Sequence, residues 1–175
     1  MSRITDYSIL FQNMFGMQKP TILGTFQLSQ LNSSSVQKQL KAAGLLITDE
    51  NAESRKRIIP IPESSRDEMF ELTKKEFLRE NGVQNGDTTK RSDVYTNLHW
   101  KMKKNDRLAA GYTMEKYEGA YRQAFLDAAR KADPDWKVGK PVKLGALDAV
   151  TRESVETNMK KLANKATQVS VDITV

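Results

Sequence analysis

The spacing of apolar residues along the chain predicts a protein built mainly from helices. Through most of the sequence, apolar residues recur every three or four positions, which is the period of an amphipathic helix. The predicted helices are one ending at Gly44, one from Ser65 to Asn81-Gly82, and three more at about Asp93–Leu108, Thr113–Lys131 and Leu147–Ala166. Pro60 and Pro62 force extended backbone between the first two helices, so we expect a linker there.

Two of these helices have a well-defined apolar face. In the helix that begins at Ser65, Ser65 and Glu68 form a capping-box pattern at the start. The face expected to be buried in this helix consists of Met69, Phe70, Thr73 and Phe77. In the helix of residues 113–131 the expected core face consists of Tyr117, Ala120, Tyr121, Ala124, Phe125 and Ala128.

The C-terminal sequence "QVSVDITV" alternates apolar and polar residues and so predicts one half-buried strand. A lone strand needs a pairing edge, either in the N-terminal segment "TILGTFQL" or on another molecule. The expected fold class is therefore mainly α: a multi-helix domain with a minor β element, for which pairing with the N-terminal arm is one alternative.

A change in charge density near residue 34 predicts two regions, an apolar N-terminal helix and arm (1–34) and a single helical domain with the C-terminal strand (35–175). Residues 1–34 contain only Arg3, Asp6 and Lys19 as charged residues. The apolar residues expected to dock on a partner or a neighbouring subunit are Ile4, Tyr7, Leu10, Phe11, Met14 and Phe15. The alternative is that this arm folds back onto the helices of its own chain.

The composition of the N-terminus, rich in Met, Phe, Ser, Asn and Gln, is similar to that of the ends of phage and flagellar structural proteins. This resemblance implies a structural component of a larger bacterial or phage assembly. The leading hypothesis is a non-enzymatic interaction or assembly protein whose apolar N-terminal arm docks on a protein partner or a neighbouring subunit.

The residue types present in the chain exclude several kinds of catalytic and metal-binding site. The chain of 175 residues contains one histidine and no cysteine, which excludes the multi-histidine and Cys/His zinc sites and thiolate catalysis. We expect no metal and no cofactor. Because no uncharged run approaches the roughly 18 residues that a membrane span needs, and no cleaved signal pattern is present, we expect a cytoplasmic protein or part of an assembly.

A net charge of +6 raises the alternative of a nucleic-acid or polyanion binder. The stretch "LHWKMKKNDRL" contains the best candidate surface. If residues 93–108 form one helix, its outer face carries Trp100, Lys103, Lys104 and Arg107, where an indole surrounded by cations could hold a base or phosphate. The competing interpretation is that Trp100 packs under the proline loop or the N-terminal arm while the lysines are solvated.

The third hypothesis is an enzyme of unknown type. It requires His99, the only histidine, to lie in an accessible cleft with a carboxylate, and Asp106 is the acid expected on the same side of the helix. No sequence motif indicates a particular reaction.

Overall fold

The computed structural model describes residues 34–83 and 88–160. Within these ranges the chain forms five α-helices and no β-strand, so the prediction of a mainly helical protein is confirmed. The helices are α1 (Ser34–Ala43), α2 (Glu63–Arg79), α3 (Thr88–Lys101), α4 (Arg107–Ala132) and α5 (152–160). The predicted C-terminal strand and its proposed pairing segment in the N-terminal arm lie outside the described residues.

Helix α1 ends where the sequence predicts. Gly44 has a φ angle of +70°, the left-handed conformation that closes many helices. The Leu45 N–H donates to the Leu40 carbonyl at 2.8 Å, and the Gly44 N–H donates to the Lys41 carbonyl at 3.1 Å. This pair of hydrogen bonds is a Schellman motif, and it satisfies carbonyls that the end of the helix would leave without partners.

Helix α2 has the predicted buried face and the predicted end, but it begins earlier than expected. Met69, Phe70, Thr73 and Phe77 are all buried. The Pro62 carbonyl accepts hydrogen bonds from the N–H groups of Ser65 and Arg66, so the helix starts at Glu63 and Ser65 lies inside its first turn. The capping role predicted for Ser65 is therefore wrong.

The connection between α3 and α4 differs from the prediction. Helix α3 begins at Thr88 and ends at Lys101, a short 3-10 turn covers Lys104–Asp106, and α4 runs from Arg107 straight through Gly111. The predicted helix of residues 93–108 with a break at Gly111 is therefore wrong. The helix instead ends at Lys101, and the chain turns so that the Arg107 side chain contacts the end of α3.

The described residues divide into two compact units, one made of residues 34–69 and 88–115 and the other of residues 70–83 and 116–160. In the first unit, Ala43 and Leu45 are buried against Leu40, Tyr95 and Leu108. The other buried apolar side chains of this unit include Met69, Val94, Leu98, Ala109 and Met114.

The core of the second unit is aromatic. The Phe70 ring lies 5.2 Å from that of Tyr121 and 5.3 Å from that of Phe125, and Phe77 contacts Phe125 and Trp136 with ring centroids 5.8 and 5.9 Å apart. Offset and edge-to-face aromatic contacts of this kind add to the free energy of burial. On α4 the buried residues of this unit are Tyr121, Phe125 and Ala129, whereas the three predicted alanines are only partly buried.

Helix α5 starts at residue 152, not at Leu147 as predicted. The Ser154 N–H donates to Thr151 Oγ1 at 3.2 Å, and the Thr151 N–H donates to Ser154 Oγ at 3.4 Å. This reciprocal pair caps the helix. Leu147 is buried, but it belongs to the turns that precede the helix.

Candidate functional site

The four residues of the predicted anion-binding face lie close together in sequence but not on one helix. Trp100 is in the last turn of α3, Lys103 and Lys104 are in the connection, and Arg107 is the first residue of α4. The predicted stripe on a continuous helical face is therefore wrong. We refer to Trp100, Lys103, Lys104 and Arg107 as the Trp100 corner.

Trp100 is an exposed aromatic side chain with a cation fixed over it. The residue is 53% exposed. The N-terminal arm, under which the competing interpretation packs the indole, lies outside the described residues, so that interpretation stays a prediction. The guanidinium carbon of Arg107 lies 4.6 Å from the centroid of the indole ring. This is a cation–π distance, so the two residues meet even though helical spacing does not bring them together.

Hydrogen bonds to backbone carbonyls hold Arg107 in this position. Its Nε donates to the carbonyl of His99 at 2.9 Å and more weakly to that of Met102 at 3.4 Å, and Nη1 donates to the Ala43 carbonyl at 2.7 Å. The guanidinium thus neutralises the negative ends of α1 and α3. Among the described residues Nη2 has no hydrogen-bond partner, so two N–H donors remain available beside the indole.

The surrounding charges leave the Trp100 corner positive. Lys103 and Lys104 are exposed and form no ion pair with any residue in the described ranges. Lys101, in contrast, reaches the hydroxyl of Ser64 at 3.3 Å. Asp106 is paired with Arg57, so its carboxylate is already neutralised.

His99 does not form the site that the enzyme hypothesis requires. The side chain is only 4% exposed, and burial, followed by the charge of Arg107, lowers its pKa from 6.5 to about 4. Its Nδ1 has no hydrogen-bond partner among the described residues, and Asp106 binds Arg57 instead. Because the imidazole is neutral at ordinary pH and is covered by its neighbours, it offers no surface to a substrate.

Sequence reasoning missed one buried polar cluster. The Tyr121 hydroxyl donates to Glu156 Oε1 at 2.7 Å, and Arg152 Nη1 donates to Glu156 Oε2 at 3.1 Å. All three residues are buried, so the cluster fixes α5 against α4. The spacing of four residues between Arg152 and Glu156 was the available signal, but it does not reveal the tyrosine.

Three further predictions concern the docking residues, metal binding and membrane-spanning helices. The proposed docking residues Ile4, Tyr7, Leu10, Phe11, Met14 and Phe15 lie outside the described residues. In residues 34–83 and 88–160, no group of three or more His, Asp or Glu side chains is placed to hold a metal ion. None of the helices in these ranges combines the length and apolar character needed to cross a membrane.

These observations define a helical protein that carries an exposed indole with an arginine guanidinium held over it. The chain belongs to the family described as a domain of unknown function (DUF3879), whose sequence model matches residues 2–175. No curated protein and no solved structure matches the chain.

Proposed function

We propose that this chain is a non-enzymatic interaction protein that docks on a protein partner or a neighbouring subunit. The observation that carries the proposal is the half-exposed indole of Trp100 beneath the fixed guanidinium of Arg107. Tryptophan and arginine are the side chains most enriched at the energetic centres of protein interfaces. A pair already held in place loses little conformational freedom on binding, which favours affinity.

The hydrogen-bond donors that remain available at the Trp100 corner indicate which side chains the partner surface would carry. Arg107 Nη2 and the unpaired ammonium groups of Lys103 and Lys104 would hold a carboxylate, while the indole would contact an apolar or aromatic group beside it. The partner surface would therefore combine acidic and apolar side chains.

The N-terminal arm is the second part of the proposal, and its support comes from the sequence. Its docking residues are Ile4, Tyr7, Leu10, Phe11, Met14 and Phe15. So many large apolar side chains within a short and weakly charged segment would form a patch that soluble monomers rarely expose. Methionine adds a side chain that adapts to irregular partner surfaces. A structural role in a larger assembly is one form of this function.

The test is native mass measurement of the purified chain, alone and after incubation with extract, for the wild type, Trp100→Ala and a variant lacking residues 1–31. Ile58→Ala is the matched control, because Ile58 is also exposed and lies in the same unit. We expect the wild type and the control to form the same complex, and Trp100→Ala to weaken it at least about tenfold. A complex unaffected by Trp100→Ala, or a monomer under both conditions, would contradict the proposal.

The second candidate is a nucleic-acid or polyanion binder that uses the same corner. An exposed indole face next to two unpaired lysines favours it. Arg107 does not distinguish the two functions, because its remaining Nη2 donors could hold a phosphate as well as a carboxylate. Salt-sensitive binding of a mixed nucleic-acid pool that is lost in Lys103→Ala/Lys104→Ala would establish this function in place of the first.

A further inference from the structure

A surface loop in the second unit, residues 137–146, is held in a fixed shape at both ends. Trp136 is buried before it, and Leu147 is buried after it. Within the loop, the Trp136 indole N–H donates to the Lys140 carbonyl at 2.9 Å, and the Gly139 N–H donates to the Asn81 carbonyl at 2.8 Å. We name these ten residues the basic loop.

The basic loop exposes cations and no acid. Lys137, Lys140 and Lys143 are exposed, and none of them forms an ion pair or side-chain hydrogen bond with a residue in the described part of the chain. The sequence "KVGKPVKLGA" contains no Asp or Glu. The loop itself therefore carries three positive charges and no negative charge, while the Asp148 carboxylate lies close to its tip turn, with Oδ2 3.4 Å from the position of a Cβ on Gly145.

Two aliphatic side chains in the same loop are exposed. Leu144 is 100% exposed and Val138 is 49% exposed. The Ala146 N–H donates to the Lys143 carbonyl at 3.0 Å, and Gly145 has a φ angle of +76°. These features define a tight turn of type II with Leu144 at its first central position, so the leucine stands at the tip.

We propose that the basic loop binds the surface of anionic lipid membranes, with Leu144 inserted below the headgroups and the lysines on lipid phosphates. Because Leu144 is fully exposed at the tip of a narrow turn, no other part of the described chain covers it, and a binding partner would have to surround it. A bilayer does so without shape complementarity, and its anionic headgroups match the three lysines. This inference concerns a different surface from the Trp100 corner and does not depend on the function proposed for that corner.

The expected binding is weak, reversible and salt-sensitive. Each lysine near an anionic surface strengthens binding about fivefold, and burial of a leucine strengthens it at least about tenfold. One leucine and three lysines are therefore enough for peripheral attachment but not for permanent anchoring.

The experiment is cosedimentation of the full chain with phosphatidylcholine vesicles that contain or lack phosphatidylserine, at low and moderate salt. We expect binding only to the phosphatidylserine vesicles, about tenfold weaker binding for Leu144→Ser, and about a hundredfold weaker binding for Lys137→Gln/Lys140→Gln/Lys143→Gln. The matched control is Leu78→Ser, an exposed leucine in the same unit outside the loop, which should bind like the wild type.

Four results would overturn the proposal, three of them in the vesicle and loop-variant arms. These three are no binding to either vesicle, equal binding to both, and binding that Leu144→Ser leaves unchanged. Binding lost in Lys103→Ala/Lys104→Ala but kept in the loop variants would also overturn it, since it would assign the anion contact to the Trp100 corner. Because the substituted loop residues are exposed, thermal unfolding of each variant should match that of the wild type.

Discussion

At the scale of single residues, the most consequential side chain is His99. It is nearly fully buried in the first unit, and its pKa falls to about 4 because burial disfavours the charged imidazolium and Arg107 repels it. The unfolded chain, with an ordinary histidine pKa, binds a proton below about pH 6.5. Between these two pKa values the unfolded state holds one more proton than the folded state, so stability must fall as the pH falls.

The corresponding prediction is that His99→Leu reduces the loss of stability in mild acid. From about pH 7 to about pH 5, the wild type should lose about 2 kcal/mol of unfolding free energy through this residue, and the variant should lack that contribution. Urea unfolding of both proteins at the two pH values measures the difference. Because the chain has no other histidine, an equal acid sensitivity in the variant would show that His99 is not the cause.

The Trp100 corner illustrates what can be predicted about a site from residues alone. The sequence indicated that an indole and several cations lie near one another, and Trp100 and Arg107 do make contact. The reason given was wrong, because helical spacing does not bring them together. Arg107 reaches Trp100 by bonding to the carbonyls at the end of α3, and such a tertiary contact leaves no periodic signal.

At the scale of elements, two glycines within the same helix have different roles. Gly111 and Gly119 both lie inside α4. A Cβ on Gly111 would lie 3.1 Å from Nε2 of His99, whereas a Cβ on Gly119 would meet nothing within 4 Å. Gly111 therefore makes room for the buried imidazole, while Gly119 only lowers the helix propensity.

We expect Gly119→Ala to stabilise the protein by roughly 0.5–1 kcal/mol, because alanine loses less conformational entropy in a helix. Gly111→Ala should gain less or be destabilising, since the new methyl must displace the His99 ring by a few tenths of an ångström. Urea midpoints of the two variants test this. An equal gain in both variants would show that the His99 ring moves aside without a loss of stability.

Helix ends were predictable where a local signal marks them. Gly44 and the Asn81-Gly82 pair adopt positive φ angles, which the residue types themselves favour. The end of α3 was not predictable, because no glycine or proline occurs in "KMKKND". Gly111, which looked like a break, lies inside α4, where its missing Cβ leaves room for the His99 ring.

At the scale of the whole molecule, two of the three points where the chain passes from one unit to the other lie inside helices. These two fall after Met69 inside α2 and after Glu115 inside α4, and the third, between Gly86 and Asp87, lies outside the described residues. A continuous helix propagates order from residue to residue, because each added residue contributes a hydrogen bond without the cost of a new nucleus. The two crossings inside helices would not have been found from sequence, since neither of them coincides with a change in composition.

The last prediction is that both units unfold in one transition. The two tryptophans report on them separately, since Trp100 is in the first unit and Trp136 is in the second. In the chain labelled with 5-fluorotryptophan, both fluorine resonances should lose their native intensity at the same urea concentration. Phe77→Leu, a substitution in the second unit that costs about 1 kcal/mol, should shift both midpoints downward equally. Val94→Ala in the first unit is the reciprocal control, and a shift confined to the substituted unit would show that the two units unfold independently.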